Sequence, residues 1–174
     1  MAEIQDQERA GQGSAGLAHL AGKYLTFRLA EEEYGLEIMK VQEIIGIMPT
    51  TKVPRVPDYV RGVINLRGRI IPTIELRRKF GLEAVADNER TCIIVVELHS
   101  DKGKINMGII VDEVAEVMDF DAASIDNPPE FGTYLDTAFI LGIGVIRGEV
   151  KILLDIDKVL STEEVSTMEK IAQN

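Results

Sequence analysis

Two blocks of this sequence occur twice, in the same order, and no other feature narrows the fold as far. Gly35-Leu36-Glu37-Ile38-Met39-Lys40-Val41-Gln42-Glu43-Ile44-Ile45 matches Gly108-Ile109-Ile110-Val111-Asp112-Glu113-Val114-Ala115-Glu116-Val117-Met118 in its Gly, its Val-x-Glu pair and its apolar pattern. Further on, Gly62-Val63, Leu66-Arg67-Gly68, Ile70 and Ile74-Glu75-Leu76 recur as Gly142-Ile143, Ile146-Arg147-Gly148, Val150 and Leu154-Asp155-Ile156, at identical internal spacing. Two recurring blocks imply two structurally similar halves. Each half has room for about five strands of roughly five to seven residues, which suits a small closed barrel better than an open sheet with exposed edges.

The local patterns are those of strands. Leu25, Phe27 and Leu29 alternate with Thr26 and Arg28, and Tyr34, Leu36 and Ile38 repeat the alternation after the acidic turn Glu31-Glu32-Glu33, which predicts a hairpin. Val41, Ile44 and Ile45 have helical spacing, so a single helical turn or bend is expected between Met39 and Ile45. Gly62–Leu66 and Arg69–Leu76 are apolar runs joined by Arg67-Gly68, a tight turn in which Gly reaches positive φ. Thr91–Leu98, Lys104–Val111, Phe139–Ile146 and Glu149–Ile156 are four further strand candidates. Thr162 to Ile171, capped by Ser161 or Thr162, reads as a short C-terminal helix. Residues 1–20 carry few apolar anchors and read as a flexible tail, leaving residues 21–174 as one domain built of two pseudo-repeated subdomains.

Charge and composition exclude several classes of function. Apolar residues are mainly Ile, Val and Leu with no Trp, and a net charge of -10 opposes nucleic-acid binding, which needs Lys and Arg against the phosphates. From Lys52 to Lys79, eight basic residues face two acidic ones, so this stretch carries +6 and the remainder -16. Such a segment is a solvated face or a docking surface for an acidic protein. The lone Cys92 lies in the apolar run Thr91–Val96 and reads as a small core residue. With neither a leader pattern nor an apolar run long enough to cross a membrane, the chain is expected in the cytoplasm without direct membrane insertion.

Catalysis finds little support. His19 and His99 fall in the tail and beside a turn, with no Cys, Ser or Asp placed by sequence for either to activate. Phosphate-binding Gly-rich loops are absent, and one Cys with two scattered His supplies no zinc set, so neither cofactor nor metal is expected. A carboxylate dyad shared between the halves would use Asp136-Thr137-Ala138, but the other half has no counterpart.

The stretch Glu33 to Ile44, followed by Gly62-Val63-Ile64-Asn65-Leu66-Arg67-Gly68-Arg69-Ile70-Ile71-Pro72, resembles the CheW family of bacterial chemotaxis coupling proteins. The resemblance runs from about Lys23 to Leu160. It implies an all-β fold with short helices, made of two five-stranded SH3-like barrels. It also implies a non-catalytic adaptor between the cytoplasmic tip of methyl-accepting chemoreceptors and the regulatory domain of a CheA-type histidine kinase. That regulatory domain shares the fold, so a regulatory module serving a single kinase without receptor bridging is the alternative; length favours the free adaptor, expected as a monomer in isolation. The family's kinase contacts match Leu25, Ile38 and Val41, and its receptor-facing positions match Glu43, Asn65, Arg67, Gly68, Val114 and Val117. Arg67 could bond a partner's carboxylate or carbonyls, or bond Glu43 internally, a pairing that Arg147 and Glu116 would repeat in the other half.

Overall fold

A computed structural model describes residues 17–128 and 137–173. Its strands are β1 (Gly22–Leu29), β2 (Glu32–Glu37), β3 (Val41–Gly46), β4 (Val60–Leu66), β5 (Arg69–Glu75), β6 (Cys92–Ser100), β7 (Gly103–Val111), β8 (Glu113–Phe120), β9 (Ile125–Asp126), β10 (Ile140–Ile146) and β11 (Glu149–Leu154). The helices α1 (Leu76–Lys79), α2 (Ile156–Val159) and α3 (Thr162–Gln173) complete an all-β architecture with short helices. One sheet runs β3-β6-β7-β5-β4, and the other runs β8-β1-β2-β11-β10 with the two-residue β9 added at its end.

Those orders contain a reciprocal exchange. β1 to β5 belong to the first repeat, with β6, β7, β8, β10 and β11 as their counterparts in the second. Hairpin β1-β2 does not pair with its own β3 and β5. It lies between β8 and β11 of the other repeat, and hairpin β6-β7 lies between β3 and β5. The registers match as well. Leu25 opposite Val117 in β1-β8 corresponds to Ile94 opposite Ile44 in β6-β3, and Leu153 opposite Gly35 corresponds to Thr73 opposite Gly108. The repeated glycines are sites of close approach: a Cβ on Gly108 would sit 2.8 Å from Ile93 and 2.9 Å from Thr73, and one on Gly35 would sit 2.9 Å from Leu153.

The structure corrects the helical turn expected at Met39–Ile45. A 3-10 turn covers only Ile38–Lys40, and β3 follows it. Between Val41 and Glu43 the register against β6 slips by one residue. This bulge places Val41, Ile44 and Ile45 at helix-like spacing within an extended strand, so periodicity alone misreads it. β8 has its counterpart slip in pairing with β1, and it was concealed in the same way. The tail boundary also moves: Leu17 packs against a core cluster to which the buried Leu20 belongs, so the ordered body begins before residue 21.

Because β1 and β6 are exchanged, both of their faces are buried. From β6, Ile93 and Val95 enter a small cluster with Ile64, Ile71 and Ile110 inside one sheet. From β1, Tyr24 enters the equivalent cluster with Phe120 and Leu153, its ring edge-on to Phe120 at 5.6 Å. The opposite faces, Leu25, Phe27 and Leu29 from β1 and Ile94, Val96 and Leu98 from β6, meet in a third and larger cluster between the sheets, closed by Val165, Met168 and Ile171 of α3. Each fully buried side chain of this size contributes about 1.5–3 kcal/mol, so neither subdomain is independent of the other. Cys92 is a free thiol, half-buried and packed against the central cluster.

Polar anchors hold this arrangement at two junctions. Asp112, where the chain crosses from one sheet to the other, accepts from Arg77 Nε at 2.7 Å and Nη2 at 2.5 Å and from the Ala30 amide at 2.8 Å, tying α1 and the β1-β2 turn together. Burial opposes its ionisation, but the Arg77 guanidinium and the Ala30 N–H outweigh that and hold the carboxyl below its ordinary range. At the start of α3, the Ser161 amide donates to Glu164 at 2.8 Å while the Glu164 amide donates to Ser161 Oγ at 3.2 Å, a capping box. Lys79 of α1 adds an ion pair to Glu164 at 2.6 Å.

Burial raises the Glu164 pKa, yet Lys79 and the Ser161 amide prevail and hold it at about 2. A carboxyl depressed in the folded state stabilises the fold above its unfolded pKa, and that contribution drains away as pH falls toward about 2. Glu164→Gln is expected to cost about 2 kcal/mol at pH 7. Urea titrations between pH 7 and pH 2.5 should show the difference from wild type shrinking with acid; a constant difference would assign the loss to packing.

Candidate functional site

The Arg67-Gly68 turn is built by its backbone. Leu66 and Arg69 are register partners, so the loop has two residues, and both are at positive φ, +55° for Arg67 and +84° for Gly68. These are the requirements of a type I′ turn, which glycine meets freely and arginine only at a cost. Asn65 secures the turn by accepting the Gly68 N–H on its Oδ1 at 2.9 Å.

The Arg67 guanidinium pairs with Glu43 through Nη2. Glu43 stands on β3 and Arg67 at the tip of β4-β5, the two ends of one sheet, so the ion pair requires that sheet to curl until its first and last strands meet. The side chain of Arg67 remains 71% exposed, leaving its other donors facing solvent beside a partly desolvated carboxylate. Ile44 and Ile70, on the same sheet as this pair, are themselves exposed. Glu43, Asn65, Arg67 and Gly68 thus form one cluster.

The second repeat copies the turn but not the pair. Arg147 and Gly148 have φ of +55° and +78°, yet among the described residues no ion pair joins Arg147 to Glu116. Backbone groups of Glu116 are bonded by Thr26, whose hydroxyl donates to the carbonyl at 2.7 Å and accepts from the amide at 3.2 Å. Val95 occupies the position equivalent to Thr26 in the other sheet and has no hydroxyl to offer. Val114 and Val117 stand on β8, in the sheet that lacks the Arg67 turn; Val114 packs against the central cluster and Val117 is exposed.

The three positions matched to a kinase face divide three ways. Leu25 is 2% exposed in the central core, so the expectation that its side chain meets a partner does not hold. Val41 begins β3 and is half-buried against that core, and Ile38 lies exposed on the 3-10 turn between β2 and β3. Met39 beside it, 76% exposed, was missed. The repeat held the signal: Met39 occupies the place of Asp112, so where one crossover turns a carboxylate inward to Arg77, the other is held by Lys40 to Asp157 at 2.8 Å and presents the Met39 thioether to solvent.

Folding also consumes most of the basic stretch. Arg61 bonds Asp87 and Glu75, Arg78 bonds Glu75, Arg77 bonds Asp112, and Lys79 bonds Glu164. Among the described residues Lys52, Arg55 and Arg69 are left without an ion pair, and Lys52 and Arg55 with Lys170 rim a groove of about 450 Å³ floored by Val53, Ile70 and Ile171. Ile70 is the register partner of Asn65, which makes the groove continuous with the Arg67 turn. Among the described residues no group of His, Cys, Asp and Glu is arranged to hold a metal, and no helix is long and apolar enough to cross a membrane. Asp136 lies outside the described residues.

Two curled sheets sharing a central core, with an ion-paired turn, an apolar groove and a separate apolar crossover on the surface, define a β-sheet protein-docking scaffold. Residues 23–164 match the CheW-like domain. The chain is 40% identical over 167 residues to chemotaxis protein CheW of Klebsiella aerogenes, covering 93% of this chain and 98% of that one. It is 32% identical over 140 residues to CheW of Rhizobium meliloti, covering 80% and 88%. The crystal structure of scaffolding protein TtCheW from Thermoanaerobacter tengcongensis superposes with a TM-score of 0.72 at 38% identity, over 83% of this chain and 95% of that one. The chain belongs to the CheW family of chemotaxis proteins.

Proposed function

We propose that this protein is a cytoplasmic adaptor that couples methyl-accepting chemoreceptors to a CheA-type histidine kinase and catalyses no reaction itself. The observation that carries the receptor half is the Arg67 turn: a guanidinium held in a costly backbone conformation, paired with Glu43, largely exposed, and beside an apolar groove with a basic rim. That combination suits a helical receptor tip presenting apolar and acidic side chains, since the groove takes the apolar face and the guanidinium takes a carboxylate or a helix-end carbonyl. Val117, exposed on β8, extends the receptor contacts, together with the half-buried Val114 on the same strand.

The kinase half is assigned to the crossover at Ile38 and Met39. Exposed apolar side chains at the centre of an interface contribute most of its energy, and no internal role accounts for the 76% exposure of Met39. The docked partner is the kinase regulatory domain, and the protein is recruited to membrane-bound receptor arrays from solution as a monomer. Ile38→Asp with Met39→Asp should lower affinity for that domain by about 30-fold or more and leave receptor binding unchanged, measured by calorimetry with each partner.

The deciding experiment is a pull-down with a chemoreceptor cytoplasmic fragment and the kinase regulatory domain, separately and together. A ternary complex establishes bridging. Binding to the kinase domain alone would reduce the protein to a regulatory module for a single kinase.

A further inference from the structure

The reciprocal exchange of hairpins has a consequence for association between copies. Every strand pairing that completes a sheet, β1 with β8, β2 with β11, β3 with β6 and β5 with β7, joins the first repeat to the second. The two repeats are joined covalently only through the segment between α1 and β6. Residues 83–90 of that segment are exposed and contain no helix or strand. Its side chains are held to the body by few bonds, chiefly Asp87 to Arg61 at 2.7 and 3.0 Å.

Nothing in the pairings themselves requires both repeats to come from one chain. We infer that a second copy of this protein can supply the missing repeat: repeat one of each copy pairs with repeat two of the other, forming a closed two-fold dimer that rebuilds two complete bodies. Every buried contact of the monomer is regenerated in each body, so only the linker differs. This is the condition under which exchange costs least. The monomer prevails because a short linker holds the repeats at an effective concentration on the order of millimolar, and linker length is therefore what sets the oligomeric state. In such a dimer each Glu43–Arg67 turn stays within one chain, while the sheet carrying it is completed by the other chain's β6 and β7. The dimer would be bivalent. The inference rests on topology and stands whether or not the proposed partners are correct.

The test uses the full chain with Cys92→Ser and a reporter pair, Lys23→Cys with Asp119→Cys. These positions are exposed register partners on β1 and β8, in different repeats. Their disulfide lies within a chain in the monomer and between chains in the exchanged dimer. In a second version residues 83–90 are deleted. The deletion removes all eight residues between Leu82, bonded back to the Arg77 carbonyl of α1, and Thr91 just before β6, and forces those two Cα atoms to about 3.8 Å. The deleted chain is expected to be dimeric by light scattering, with at least a tenfold higher fraction of interchain disulfide than the intact chain. A folded monomer, or a dimer whose disulfides stay within each chain, would overturn the inference. Should the deleted chain not fold, the intact-linker reporter refolded from denaturant at micromolar to millimolar concentrations decides: interchain disulfide must rise with concentration, and its absence throughout would overturn the inference equally.

Discussion

Arg67→Ala is expected to weaken binding to a chemoreceptor cytoplasmic fragment by roughly 30-fold or more, about 2 kcal/mol, while the protein stays folded. The left-handed backbone at Arg67 is as unfavourable for alanine as for arginine, so the substitution neither relieves nor adds strain. What the fold loses is an ion pair to Glu43 that is 71% exposed on the arginine side, which at an exposed site is below about 1 kcal/mol. Arg67→Asn separates turn shape from charge. Asparagine suits the first position of a type I′ turn, so this variant should melt at or above the wild-type temperature and still fail to bind. Wild-type affinity in Arg67→Asn would mean that the receptor reads the turn and not the guanidinium. Unfolding of Arg67→Ala would make the residue structural.

Gly62→Ala should produce the largest loss of stability, about 3 kcal/mol or more. Gly62 has φ of +147°, and a Cβ there would lie 2.0 Å from the carbonyl oxygen of Thr51. That oxygen accepts the Val63 N–H at 2.8 Å, and the Thr51 N–H returns a bond to Val63 at 2.9 Å. No rotation of a methyl group avoids the collision, so the segment around Thr51 must leave the free edge of β4 or the strand must bend. The matched residue supplies the comparison. At Gly142 a Cβ would meet an Ile125 methyl at 2.8 Å and the Asp126 carbonyl at 2.9 Å, without a positive φ to strain it. Gly142→Ala is therefore expected to cost about half as much, because its contacts begin at 2.8 Å where those of Gly62 begin at 2.0 Å, and its backbone is not in the left-handed region. Urea midpoints of the two variants measure this directly, and equal losses would show that the short contact at Thr51 is relieved without breaking its bridge.

Much of the fold was legible because repeats, turns and strand faces are local. Arg67-Gly68 and Arg147-Gly148 announced two identical hairpins, and Ser161 with Glu164 announced the start of α3. The bulges in β3 and β8 were hidden, since one extra residue converts strand alternation into apparent helical spacing. Of the candidate site, Glu43, Asn65, Arg67 and Gly68, the positions the family resemblance implied, stand in one cluster. Leu25 did not reach the surface, because an exchanged strand has two buried faces and its outward positions look no different in sequence. Met39 could be recognised only by asking which residue stands in Asp112's place.

The sequence by itself determined that there are two alike β halves and where their tight turns fall. Only the tertiary structure decided that the halves trade hairpins, that a central core fuses them, and that Arg67 finds Glu43 while Arg147 leaves Glu116 to Thr26. The physical reason is that a repeat makes the edges of both halves equivalent. Local pattern fixes what a strand can pair with, whereas the choice between two equivalent edges is settled by long-range packing: by the crossovers at Ile38–Lys40 and Asp112, and by the apolar surface that becomes buried when the hairpins are exchanged.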